Sequence, residues 1–162
     1  MRKYIILSVI FLLFSFLTYS QDEHNHEYNH SHPQLEFGFS NGLVYNATEK
    51  EVAYGVHVHV IKTVSKSDKF GLGLGYEAIF DDHKHNAASL ILLYRPLEHL
   101  SFNFSPGVSW LATESNSLKP AMHFEGLYEW EFGIFHLGPL VGVAFNTEDF
   151  HVSTGLHLAV GI

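Results

Sequence analysis

Thirteen histidines and no cysteine stand among the 162 residues of this chain. Imidazole without thiolate suits Zn²⁺, Cu²⁺, Ni²⁺ or Co²⁺ held by nitrogen and carboxylate oxygen, and it rules out thiolate centres and disulfides. Twelve of the histidines fall in three settings. His24, His26, His30 and His32 are spaced through the polar stretch QDEHNHEYNHSHP at 21–33, among Asp22, Glu23 and Glu27. His83 and His85 follow two acids in Asp81-Asp82-His83-Lys84-His85. His57, His59, His123, His136, His151 and His157 sit inside apolar, alternating segments. Two histidines at i and i+2 on a strand, as at His57 and His59, share one face about 7 Å apart. A third ligand would then come from another strand, and a nearby Glu could fix a ring's tautomer.

The chain that positions them has three parts. Met1-Arg2-Lys3, the apolar run 4–17 and Thr18-Tyr19-Ser20 are the n-, h- and c-regions of a secretory signal peptide cut before Gln21. The run is short of the ~20 residues a spanning helix needs. All thirteen histidines lie beyond it. Residues 21–33 carry no periodic apolar face, so a disordered histidine-rich leader is expected there. Residues 34–162 are expected to fold as one domain.

From Leu35 the hydrophobic period is two. Eight segments follow, at 35–45, 51–62, 69–80, 87–95, 100–111, 120–132, 134–145 and 150–162, separated by turn signals. The last is the clearest: Phe150, Val152, Thr154, Leu156, Leu158, Val160 and Ile162 oppose His151, Ser153, Gly155, His157, Ala159 and Gly161. Gly71, Gly73 and Gly75 belong to the same alternation and do not form a nucleotide loop. Segments of 9–13 residues match membrane-crossing strands, whereas globular strands have a mode of about 5–6. The polar face is rich in Gly and Ser and nearly free of Lys, unlike a solvated surface. Tyr45, Tyr54, Tyr76, Tyr94, Trp110, Tyr128, Trp130 and Phe132 lie near segment ends, as an aromatic girdle would. These features predict an all-β fold: an eight-stranded antiparallel up-and-down transmembrane β-barrel, with a soluble lipocalin-like barrel or sandwich as the alternative.

With both termini in the periplasm, the loops near 46–50, 81–86, 112–119 and 146–149 are external. His57, His59, His123, His136, His151 and His157 then face the lumen, with Glu36, Glu77, Glu125, Glu129 and Glu131 on the same side. Two groups are expected. Near the outer mouth lie Asp82, His83, His85, His123, Glu125 and His151, with Glu77. Deeper lie His57, His59, His136, His157 and Glu129. Arg95, beyond Arg2 the one arginine of the sequence, is expected to pair with an inward Glu.

Signal peptide, strand count and alternation together resemble the small eight-stranded outer-membrane barrels of Gram-negative bacteria. Such barrels often end in an aromatic residue, and here the last residue is Ile162. The stretches Phe80-Asp81-Asp82-His83-Lys84-His85, Phe135-His136-Leu137-Gly138-Pro139, Glu148-Asp149-Phe150-His151 and Gly155-Leu156-His157-Leu158 resemble those of a largely uncharacterised histidine-rich family of such proteins, a resemblance that implies the barrel and leaves the role open. His151-x-Ser153 also resembles the His-x-Ser pair of lipid A deacylases, in which His activates a Ser nucleophile. That family's acid follows the Ser, and no acid follows Ser153.

The function expected is therefore non-enzymatic. The barrel would bind a divalent transition metal, Zn²⁺ first and Cu²⁺, Ni²⁺ or Co²⁺ after it, for capture, sensing or passage in the envelope. The alternatives are a barrel whose polar interior only stabilises the fold, and an acyl hydrolase using His151 and Ser153. The expected ligands are His57, His59, Asp82, His83, His85, His123, Glu125, His136, His151 and His157. Expected partners are outer-membrane lipid, metal ions and the outer-membrane assembly machinery, with the protein a monomer. Seventeen acids against nine bases, a formal charge of −8, argue against nucleic acid.

Overall fold

The computed structural model describes residues 34–113 and 118–162. The expected signal peptide and the leader with His24, His26, His30 and His32 lie outside the described residues. Nine strand pieces follow in order: β1 Leu35–Asn46, β2 Glu51–Thr63, β3 Phe70–Phe80, β4 His85–Leu97, β5 Leu100–Leu111, β6 Lys119–Tyr128, β7 Trp130–Phe132, β8 Phe135–Asn146 and β9 Phe150–Gly161. β6 and β7 are one wall strand. Leu127 faces Leu140 and Trp130 faces Leu137, so the register against β8 runs unbroken past Glu129. Pairing is antiparallel throughout, and β1 pairs with both β2 and β9. The result is a closed eight-stranded antiparallel barrel, with Leu35 and Ile162 hydrogen-bonded at the end where the chain enters and leaves. That end is called the terminal end below, and the opposite one the mouth.

Local chemistry sets the turns at the mouth. Asn46 Oδ1 accepts the N–H groups of Thr48 and Glu49, and Asn146 Oδ1 accepts those of Glu148 and Asp149. Such side-chain caps mimic a backbone turn and reverse the chain. Between β4 and β5 the register shifts between Tyr94 and Leu97, across Pro96, which has no N–H to give the ladder.

The barrel is inside-out by the standard of a soluble protein. Phe37, Phe39, Leu43, Leu72, Leu74, Leu90, Phe102, Phe124, Val141 and Leu156 are all exposed on its outer wall, with Tyr54, Tyr76, Tyr94, Tyr128 and Trp130 among them. A continuous belt of this kind far exceeds the patches a soluble monomer exposes, and it calls for lipid. The buried set is mostly polar: Glu36, Ser40, His57, His59, Arg95, Ser101, Asn103, Glu125, Glu129, His136 and His157 are all enclosed. Ile61, Ile91 and Leu93 form the one buried apolar cluster described.

Eight strands leave an interior only wide enough for side chains, so small inward residues decide where larger ones fit. A Cβ on Gly155 would stand 2.1 Å from Asn41 O, and one on Gly42 would stand 2.2 Å from Thr154 O. The backbones at the β1–β9 seam therefore lie too close for a side chain at either position. Gly155→Val is expected to destabilise the barrel by about 1–3 kcal/mol, as overpacking does, read from urea unfolding in micelles. A loss below the error of that titration would show that the seam can open without cost.

Candidate metal centre

At the mouth, the turn after β3 and the one before β9 bring three candidate ligands together. Asp81 ends the run before a tight turn closed by Lys84, whose φ is 54°. Asp81 Oδ1 accepts the N–H of His85, and its Oδ2 is in a close hydrogen bond with His85 Nδ1. The other ring nitrogen, Nε2, then stands 3.4 Å from Asp149 Oδ2. The His151 ring lies edge-on to His85, with centroids 5.6 Å apart at 80°. One ligand atom from each of His85, Asp149 and His151 lies within 4.8 Å of the others. In a tetrahedral site with metal–ligand bonds of about 2.0–2.1 Å, neighbouring ligand atoms are about 3.3 Å apart. The His85–Asp149 spacing already matches that edge.

The tautomer makes this contact informative. With its proton on Nδ1 and directed at Asp81, His85 presents a bare lone pair at Nε2 to a carboxylate oxygen. Two lone pairs face each other only with a cation between them, either a proton or a metal ion. Beside this group is a cavity of about 40 Å³ lined by His57, Glu77, His85, His123 and His151 among others. That is room for about two or three water molecules, or for one partly hydrated ion.

Below the mouth runs a column of acids and imidazoles. Glu77 Oε2 is 3.6 Å from His123 Nδ1, and Glu125 Oε1 lies 3.8 Å from His123 Nε2 and 3.6 Å from His57 Nδ1. Asn103 Nδ2 donates to Glu125 at 3.4 Å. The rings of His57 and His59 are 5.2 Å apart, and His59 stacks on His157 at 5.1 Å and 6°. At the terminal end Glu36 gathers Arg95 at 2.7 Å, His136 at 3.4 Å and His59 at 3.7 Å. Glu129 takes a close hydrogen bond from Ser101 and stands 3.4 Å from His157 Nε2. Arg95 thus pairs with an inward Glu, as its place at the end of its segment predicts.

Several expectations need correction. His85 is not a loop residue: β4 begins at His85, two residues earlier than the alternation suggests, because the turn is completed by Asp81 to Lys84. Its side chain is consequently buried in the mouth. Asp82 is exposed, and Asp81 takes the position expected of it. His83 is half exposed and meets Glu49 at 3.3 Å. Glu125 is not part of the mouth group, since the wall places it between His123 and His57. The deep group divides as well, with His57 on Glu125, His59 and His157 near Glu36, and His136 with Glu36 and Glu129. Asp149, which was not among the expected ligands, belongs to the mouth group, and Asp81 stands behind His85. Asp149-x-His151 has the i, i+2 spacing that puts two ligands on one face, a signal readable from sequence.

No family model matches the chain, and no curated protein does. Solved structures do. A designed transmembrane β-barrel superposes with a TM-score of 0.57 at 18% identity, covering 80% of this chain and 98% of that one. Ail, the attachment invasion locus protein of Yersinia pestis, gives 0.51 at 9%, covering 79% and 96%. The designed barrel TMB2.3 gives 0.50 at 16%, covering 83% and 98%.

The fold is that of a transmembrane β-barrel. At these identities the likeness speaks for architecture alone, and the resemblance to a histidine-rich family rests on its sequence stretches. Within this transmembrane barrel the His151-x-Ser153 pair points into the lumen. Among the described residues Ser153 Oγ has no hydrogen-bond partner, so the pair is not hydrogen-bonded to one another.

Asp81 lies outside the spanning strands. Burial pushes its carboxyl up, but the hydrogen bond and charge of His85 and the N–H groups of His85 and Lys84 outweigh that and hold it below its ordinary value of 3.8. A depressed folded value contributes stability that is present above the ordinary value and is lost as pH falls through the folded one. In metal-free protein the His85 amide is therefore expected to lose hydrogen-exchange protection on acidification below about pH 4. Asp81→Asn should remove that acid dependence. Unchanged protection on acidification would show that the turn does not depend on this carboxylate.

Proposed function

We propose that this protein is an outer-membrane β-barrel of the Gram-negative envelope that binds a divalent transition metal, Zn²⁺ first, at its mouth. The observation that carries this reading is His85. Asp81 orients its ring, and its other ring nitrogen is turned to Asp149 and His151. A carboxylate behind a ligating imidazole is the arrangement that raises ligand basicity and fixes the tautomer in metal sites. The surrounding turns supply acid in excess, with Glu49, Glu51, Asp81, Asp82, Glu148 and Asp149 near the mouth, and that field concentrates cations. The filled lumen favours capture or sensing over passage of a hydrated ion.

The test is calorimetry and elemental analysis of the full chain in micelles, with His24, His26, His30 and His32 replaced by Asn so that the leader does not contribute. Zn²⁺ binding that is lost in His85→Ala and in His151→Ala supports the reading. Binding unchanged in both variants would refute it, and the polar groups at the mouth would then form a network that only stabilises the barrel.

A further inference from the structure

We infer that the barrel encloses a second divalent-metal site, formed by His59, His157 and Glu36, which holds its ion occluded. This goes beyond the mouth centre and shares no residue with it. One ligand atom each from Glu36, His59 and His157 lies within 4.8 Å of the others, and all three residues are buried. His59 Nε2 is 3.7 Å from Glu36 Oε1, and His157 Nε2 is 3.4 Å from Glu129 Oε1. The His59–Glu36 spacing is a few tenths of an ångström longer than the edge of a tetrahedral site, and Glu129 adds a carboxylate beside His157.

Three independent features point to an ion here. First, among the described residues both ring nitrogens of His59 and Nε2 of His157 have no hydrogen-bond partner, although each side chain is only 1% exposed. Buried imidazole nitrogens are ordinarily satisfied. Second, the rings are oriented from behind. Ser40 Oγ shares a 2.9 Å hydrogen bond with His157 Nδ1, which leaves Nε2 as the ligating atom. Arg95 occupies Oε2 of Glu36, so Oε1 is the oxygen turned to His59. Third, the wall is shaped for the rings. A Cβ on Gly38 would stand 2.1 Å from His59 Nε2 and 2.8 Å from His157 Cε1, so only glycine at this position lets the two rings lie across β1. Glu36 and Glu129 bring two carboxyl groups to this part of the lumen, beside the guanidinium of Arg95.

Occlusion separates this site from the mouth. The full chain is refolded in micelles with Zn²⁺ and washed with EDTA, and retained metal is measured alongside a folding check by heat-modifiable gel mobility. About one equivalent is expected to survive the wash, because a buried ion leaves only when the barrel opens. His85→Ala should retain that equivalent, whereas His59→Gln and Gly38→Ala should lose it. X-ray absorption of the washed wild-type protein should show two imidazole nitrogens at about 2.0–2.1 Å with oxygen ligands. This reading does not depend on either variant folding. A folded wild-type protein with no retained metal overturns the inference. So does an equivalent retained in His59→Gln and lost in His85→Ala, a result that would support the mouth centre instead. An absorption spectrum without imidazole overturns it as well.

Discussion

Replacing Arg95 with methionine is expected to cost the folded barrel about 3–5 kcal/mol, the usual loss when one partner of a buried ion pair is removed. Arg95 and Glu36 are 4% and 5% exposed and 2.7 Å apart. Without the guanidinium, Glu36 is a buried carboxylate left to the histidines around it, with Glu129 close by. The double variant Arg95→Met/Glu36→Gln should recover much of the loss, because exchanging a whole buried pair for neutral groups is often tolerated. Urea unfolding in micelles, followed through Trp110 and Trp130, measures all three. A single-variant loss under about 1 kcal/mol would match an exposed pair and would mean that water reaches Glu36.

The second large effect concerns the mouth. Asp81→Asn is expected to weaken Zn²⁺ binding there by 10–100-fold, the range seen when the group behind a ligating histidine is changed. Asn keeps the size and can still hydrogen-bond the His85 ring, but it removes the charge that makes Nε2 a stronger donor. His85→Ala should abolish stoichiometric binding at the mouth. Asp82→Asn, one residue along on an exposed position, is the control and should change affinity little. Calorimetry on the leader-substituted chain gives the graded series. If Asp82→Asn weakens binding as much as Asp81→Asn does, the effect is the general field of the acidic turns and not the orientation of His85.

Much of this was legible without coordinates. Alternation alone put His57, His123, His136, His151 and His157 on one side of their strands, because side chains on a strand point to opposite faces with period two. The length and number of the segments, the Gly- and Ser-rich inner face and the aromatic residues near segment ends carried the barrel. The strand ends were read to within two residues, with the widest differences at β4, where Asp81 to Lys84 close a shorter turn than the polar run suggests.

Contacts across the lumen were not legible. Period two says which face a residue takes but not its height against a strand several positions round the wall, which depends on the stagger of closure. That stagger sets Glu125 between His57 and His123, gathers Arg95, His59 and His136 on Glu36, and brings Asp149 to His85. It also makes Gly38 the floor under two histidine rings. The sequence by itself determined a membrane barrel with a histidine-lined interior, since composition and period act locally along each strand. Only the tertiary structure decided which acid meets which imidazole, because that is a property of the closed sheet and of no single segment within it.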